Sequence, residues 1–377
     1  MKFWFGRKAV TEAARPLLAT PLPGRAMQGS GAGGDWPRSY EAQVRDGFLG
    51  NPVAQRAVRL VAESVAWAPV YGEGPEAGRA ALAGPALMEA VAGHLLLHGN
   101  AFLQVICDSD GVPAELFALR PERVRVEADG SGWPAAYLYQ AGAVRTRFPA
   151  LDGMGRRHVV HLKALNPLDD HYGLGCLGAA SGAVAIHNAA TRWNKALLDN
   201  AARPSGAIVY RPGDGSALSG DQHRRLKDEL EDAFQGAANA GRPMLLDGGM
   251  QWQALSLTPA EMDFAELKAA AARDIALAFG VPPMLLGLPG DSTYANYREA
   301  NRALWRLTVL PLAGKILSGI SEALGAWWPG LKLRIDVDQV TALSEDRERL
   351  WAQVSGAGFL SDSEKREMLG FGPAKEV

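Results

Sequence analysis

Residues 271–312, AARDIALAFGVPPMLLGLPGDSTYANYREANRALWRLTVLPL, decide how this chain is read. Upstream, Thr258-Pro259-Ala260-Glu261 has the form of a capping box with proline at the first turn, so the spacing predicts a helix from there to Phe279. Gly280 ends it, because glycine takes the left-handed conformation that closes a helix, and Val281-Pro282-Pro283 prevents continuation. Gly287, Pro289, Gly290 and Asp291 then resist regular structure, which predicts a loop. A long helical stretch follows from about Tyr294 to Trp327, with a kink expected at Pro311. The motif is a helix, a proline-bounded loop and a long bent helix.

Working back from it, Ala207 to Leu257 reads as a compact strand, helix, strand insert: AIVY, a helix opened by Ser219 with Gln222 three residues on, then PMLLD and MQWQAL. Leu226, Leu230 and Phe234 form that helix's apolar stripe. A helix over about 177–202 precedes the insert, with Ile186, Ala190, Trp193 and Leu197 at helical spacing. From Ala101 to Leu165 short alternating runs predict an antiparallel sheet region: AFLQVICD, a turn at Asp108-Ser109-Asp110-Gly111, AELFALRP, RVRVEAD, AAYLYQ and HVVHLKAL. Two helices come before it. One starts at Asn51-Pro52 and carries Val53, Ala57, Leu60, Val61 and Val65 on one face; the other runs from Pro85 to near His98-Gly99. Residues 1–50, rich in Gly, Ala, Pro and Arg, predict a flexible arm. The tail adds a strand, KLRIDV, and two short helices capped by Ser344 and Ser361. The fold class is α+β.

The chain has 377 residues, 47% of them apolar and 21% charged, an ordinary globular balance with room for two or three domains. No uninterrupted apolar run is long enough for a membrane helix, and Met1 to Thr20 lacks the apolar core of a secretory signal, so a soluble cytoplasmic origin is expected. Cys107 and Cys176 are expected to be small buried hydrophobes. The net charge is -2, without the basic surplus of a tight nucleic-acid binder.

Few constellations suggest chemistry. His94 and His98 stand at i and i+4, a spacing that can hold a metal, but only leucines flank them where a metalloprotease needs a glutamate. His158 and His161 fall on opposite faces of a strand. Gly173, Gly175 and Gly178 match G-x-G-x-x-G, yet Asn166 to Tyr172 separates them from the strand, and Asp199 sits on a helix, so small residues for close helix packing are the plainer reading. Asp169-Asp170 reads as a cap more than as an acid-base pair. No nucleophile elbow and no phosphate loop is present. Trp193, Trp305 and Trp327 lie in apolar stripes and are expected in the core.

Six stretches in order resemble the portal proteins of long-tailed bacteriophages and gene transfer agents: Asn51-Pro52 with RAVRLVAESVA, HLLLHGNAFLQV, ELFALRPERVRV, HLKALNPLDDHYGLGCLGAA, HNAATRWNKALLDNAARPSGAIV and the stretch quoted at the outset. The resemblance covers roughly Asn51 to Pro311. It implies a non-enzymatic ring subunit without cofactor or metal, typically in twelve copies at a capsid vertex, assembled in the bacterial cytoplasm into a virion or phage-like particle. It implies passage of double-stranded DNA, docking of large terminase and head-tail adaptor, contact with major capsid protein, and no membrane partner. On this sequence it places a wing over 51–175, stem helices over 176–206 and 258–280, a small α/β clip over 207–257, and a tunnel loop over 281–296. The long kinked helix over 297–330 and a wing or short crown over 331–377 complete it. Asp291, Ser292, Thr293, Tyr294 and Asn296 would then touch DNA, with Arg298 and Arg302 as a basic ring behind them. Arg224, Arg225, Asp228 and Glu231 would meet partners at the clip, and Trp193 and Leu197 would pack on Leu267, Ala271 and Ile275 in the stem. Near-neutrality suits a conduit, since ten fixed phosphate contacts cost roughly three to five decades of affinity between 50 and 200 mM salt, a grip that would stall sliding DNA. Two other classes stay open. A nucleotide-binding enzyme built on Gly173, Gly175 and Gly178 would bind nucleotide saturably; another head-tail component would lack the helix, insert, helix and proline-bounded loop.

Overall fold

The computed structural model describes residue 18 and residues 39–74, 77–199, 206–210, 219–222, 224–225, 227–228, 250–254, 264–288 and 293–370. In chain order these form α1 (Tyr40–Gln43), a π-helical turn (Val44–Leu49), α2 (Pro52–Ala66), β1 (Val70–Glu73), α3 (Pro85–Leu97), β2 (Asn100–Cys107) and β3 (Pro113–Leu119). Then come β4 (Val124–Ala128), β5 (Pro134–Ala141), β6 (Val144–Pro149), β7 (Val159–Lys163), α4 (Cys176–Asp199), β8 (Gly206–Tyr210) and β9 (Met250–Ala254). The rest is α5 (Phe264–Ala278), α6 (Tyr294–Leu304), a π-helical segment (Trp305–Val309), α7 (Leu310–Leu324), β10 (Lys332–Ile335), α8 (Ser344–Gly356) and α9 (Asp362–Met368). Two compact units divide the chain: one holds 62–176 and everything from Val309 on, the other 31–61 and 177–308.

In the first unit two antiparallel three-stranded sheets, ordered β3-β2-β7 and β4-β5-β6, share one core. Phe102 sits between Leu119 and His161 in the register. Around it gather Val124, Val126, Tyr137, Val159 and Tyr172. Val124 and Val126 are buried while Arg125 between them faces out, the period-2 alternation of a half-buried strand. Asp108 shapes the β2-β3 hairpin as the sequence predicts: its Oδ1 accepts the Asp110 and Val112 N–H groups, and Gly111 follows at φ +74. The apolar side of α7, Ala313, Ile316, Leu317, Ile320 and Leu324, is buried at helical spacing. Gly319 permits that approach, because a Cβ there would lie 2.2 Å from Leu162 Cδ2. Tyr294–Leu324 is long and apolar enough to cross a membrane by length and composition, though the sequence has no uninterrupted apolar run; its α7 half spends its apolar face on this core.

In the second unit Asn51 acts as the predicted cap, its Oδ1 accepting the Val53 and Ala54 N–H groups. Its Nδ2 donates to Asn188 Oδ1 at 2.9 Å and lies 3.1 Å from His187 Nδ1, which ties the start of α2 to α4. α5 ends as predicted at Gly280, φ +65, with Gly280 N–H donating to Leu277 O and Val281 N–H to Ala276 O.

Several expectations need correction. The arm is not featureless to residue 50, since Ser39 caps a helical stretch over Tyr40–Leu49. β6 was not expected; it is an exposed edge strand whose alternate arginines hide the strand pattern. The long helix is not α-helical throughout: a π-helical segment, Trp305–Val309, interrupts it just before Pro311. A proline cannot donate to the carbonyl of Leu307, and a wider turn accommodates that loss. Ser361 forms its capping box, but Ser344 is already the first helical residue, after an uncapped Leu343. Cys107 and Cys176 are free and only partly buried. Trp193, Trp305 and Trp327 are partly exposed, while the neighbouring Trp328 is buried.

Candidate functional site

Four surfaces follow from the sequence, each held by local chemistry. In the loop region, Asp291 and Ser292 lie outside the described residues. Thr293 caps α6, its Oγ1 accepting the Asn296 N–H at 3.2 Å. Tyr294 and Asn296 are exposed in the first turn. Arg298 is exposed and its guanidinium stands 5.6 Å from the centre of the Tyr294 ring. Arg302 behaves differently: its side chain is 13% exposed and pairs with Glu299 at 2.8 Å. One turn of spacing therefore gives an outward arginine and an inward, neutralised one. The entry to the loop is pinned, as the Thr308 hydroxyl donates to Gly280 O at 2.7 Å.

On the paired helices Trp193 stacks on Phe264, ring centres 5.7 Å apart. Ala271 and Ile275 are buried, Leu267 is half exposed, and the Leu197 side chain lies outside the description. His187, buried under α2, is held below the ordinary histidine range by burial first and then by the Lys268 charge. The two contacts place α4 and α5 side by side, running in opposite directions.

In the insert, β8 and β9 pair antiparallel from Gly206↔Ala254 to Tyr210↔Met250. Ser219 and Gln222 cap each other reciprocally, Ser219 Oγ accepting the Gln222 N–H and Gln222 Oε1 the Ser219 N–H. Arg224 pairs with Asp221 at 2.7 Å on a fully wet face. Arg225 and Asp228 are exposed, and Glu231 lies outside the described residues.

The glycine motif is filled by the chain itself. A Cβ on Gly173 would lie 2.1 Å from Gly99 O, and one on Gly175 2.4 Å from Leu97 O, whereas Gly178 has open space beside it. Two of the glycines thus admit the α3-β2 turn, and the packing partner is backbone, not the helix expected. Asp169 likewise caps a turn, accepting the His171 and Tyr172 N–H groups.

Sequence reasoning missed the group that holds this turn. Asn100 is wholly buried; its Oδ1 accepts the Gly173 N–H at 2.8 Å and bonds His161 Nε2 at 3.0 Å. Its Nδ2 reaches Gly173 O and His98 Nδ1, both at 3.1 Å. Burial pushes His161 down to about 3 and His94 and His98 to about 4, so all three are neutral. The available signal was His98-Gly99-Asn100 between an apolar helix and an apolar strand, where polar residues must be satisfied. Phe264 was missed as the partner of Trp193, because one helix's periodicity does not name its neighbour. Among the described residues no group of three or more His, Cys, Asp or Glu is arranged to hold a metal.

Residues 52–370 match the family model described as phage portal protein. The chain is 48% identical to a subunit in the neck of an empty GTA particle, over 93% of this chain and 98% of that one, TM-score 0.69. It has the same identity to a chain of the neck of a native GTA particle computed with C12 symmetry, over 92% and 98%, TM-score 0.66. An uncharacterised protein of Rickettsia felis is 42% identical over 283 residues, 74% of this chain and 71% of that protein.

Proposed function

The chain belongs to the phage portal protein family, and from that premise we propose that it is the subunit of a portal ring at the capsid vertex of a gene transfer agent or related phage-like particle. The carrying observation is the 48% identity to a GTA neck subunit over nearly the whole of both chains. It is a structural protein. The ring has twelve copies, a reading supported by the twelvefold averaging of the similar GTA neck.

Double-stranded DNA passes through the ring during packaging and ejection. The sheet-rich region over 51–175 serves as wing against the major capsid protein, and the helices over 176–206 and 258–280 as stem. The insert over 207–257 is the clip, with Arg224, Arg225, Asp228 and Glu231 at the surface for large terminase and then the head-tail adaptor. The loop over 281–296 lines the channel, with Asp291, Ser292, Thr293, Tyr294, Asn296 and Arg298 toward DNA; Arg302 belongs to its support. The long helix returns the chain to a wing that includes the tail over 331–377. Assembly precedes DNA filling in the bacterial cytoplasm.

Electron microscopy of the purified full-length protein tests the reading: rings with a central hole are expected, and a uniformly monomeric protein at high concentration would sink it. Deleting Pro289 to Ser292 tests the loop. Rings should persist while DNA packaging or retention fails; normal packaging of full-length DNA would reduce the loop to a connector.

A further inference from the structure

A strand at the edge of a sheet presents a row of backbone N–H and C=O groups to any extended chain of suitable chemistry. β6 is such an edge in the order β4-β5-β6. Its register with β5 runs from Ala136↔Pro149 to Ala141↔Val144, and just beyond it the Ala150 N–H donates to Ala135 O at 2.9 Å. Opposed residues of an antiparallel pair bond in alternate rows, so Val144, Thr146 and Phe148 turn their backbone groups toward β5. Those of Arg145 and Arg147 point the other way, to the open edge.

The same two residues carry the charge. Directly paired residues share a face, and the rows Arg125↔Leu138↔Arg147 and Gln140↔Arg145 therefore set three arginines on one side of the sheet. All three are exposed. Glu127 pairs with Arg147 at 2.7 Å, while Arg125 and Arg145 form no ion pair among the described residues. On the opposite side Thr146 extends the row of Val124 and Tyr139.

We infer that β6 is a docking edge for an extended segment of a partner protein, which adds as a fourth strand with acidic side chains at alternate positions, opposite Arg145 and Arg147. The residues between those acids lie beside Thr146, where β-branched side chains suit the pleated surface. The chain's own first 38 residues do not match in charge: Lys2, Arg7, Lys8, Arg15, Arg25 and Arg38 outnumber Glu12 and Asp35. A charged edge also guards a sheet against indiscriminate pairing. Charge can do both, because like charges directly opposite destabilise a strand pair and opposite charges stabilise it. Such docking needs only the folded subunit, not a closed ring.

Fluorescence anisotropy of a labelled peptide of alternating glutamate and valine, titrated with the full-length protein, tests it. Saturable binding is expected. Combining Arg145→Glu and Arg147→Glu should weaken it by about tenfold or more, since two attractive cross-strand pairs become repulsive; the variant should instead take the peptide with lysine for glutamate. An N-methylated copy of the acidic peptide keeps every charge but loses its backbone donors, and it too should bind about tenfold more weakly or worse. Both arginines are exposed, so the variant should fold as wild type; if it does not, the lysine and N-methylated peptides decide on the wild-type protein. No saturable binding of the acidic peptide overturns the inference, as does equal binding of either control peptide or a folded variant that binds as wild type. A DNA duplex that binds more tightly than the peptide, and is lost in the variant, overturns it as well by assigning the arginines to nucleic acid.

Discussion

Replacing Asn100 with alanine removes the acceptor of the Gly173 N–H and of His161 Nε2 in one step. An amide oxygen can only accept, so His161 carries its proton on Nε2, and Asn100 Nδ2 donates to an unprotonated His98 Nδ1. Each buried group left unsatisfied costs about 1–3 kcal/mol, so Asn100→Ala should lower the denaturation midpoint sharply relative to wild type. Equal midpoints would show that water replaces the amide. The same cluster sets an acid limit. Folded His94 and His98 titrate near 4 and His161 near 3, against an ordinary 6.5. The unfolded chain therefore binds more protons between pH 6.5 and 4, and stability falls as pH drops through that window. Each histidine contributes up to about 1.4 kcal/mol per pH unit. Unfolding free energies measured from pH 7 to 4 should fall with decreasing pH, more shallowly in a His161→Phe variant, whose ring keeps the stack on Phe102.

At the scale of elements, the end of α5 is where backbone and function meet. Gly280 sits at φ +65, and a Cβ there would come 2.8 Å from Thr308 Oγ1. Gly280→Ala should cost about 1–2 kcal/mol for the left-handed conformation alone, and more through the crowding against Thr308; a denaturant melt checks it, and a neutral Gly280→Ala refutes it. This element was readable because its signals are local: a glycine, then Val281-Pro282-Pro283. The same holds for Asn51, Asp108, Ser219 and Ser361, each of which caps or turns through its own side chain. What the sequence left hidden depends on distant partners. Nothing local says that Trp193 meets Phe264, that Gly173 yields to Gly99, or that Arg302 turns inward while Arg298 does not. β6 stayed hidden because an edge strand need not bury either face, so arginines at Arg145 and Arg147 carry no penalty. Resemblance over six stretches outlined the assembly; burial decided which face of each helix is spoken for.

At the scale of the whole ring, charge becomes a kinetic quantity. A net of -2 per subunit carries no basic surplus for gripping a polyanion; beside the expected channel loop Arg302 is paired with Glu299, while Arg298 is exposed. If the loop lines the channel as proposed, the exposed and uncharged Tyr294 and Asn296 would make contacts that form and break against phosphates as DNA moves. A positive charge at this level would be multiplied by the copy number. Asn296→Arg should leave the helix intact, since Thr293 caps it through the Asn296 backbone N–H and not the side chain. Every phosphate the new arginines hold adds a slope of about -0.9 to the dependence of log affinity on log salt. Packaging by the variant should therefore slow or stall at 50 mM salt and recover as salt rises toward 200 mM, while rings form at the normal yield. A packaging rate equal to wild type at both salt concentrations would mean that residue 296 does not face the DNA.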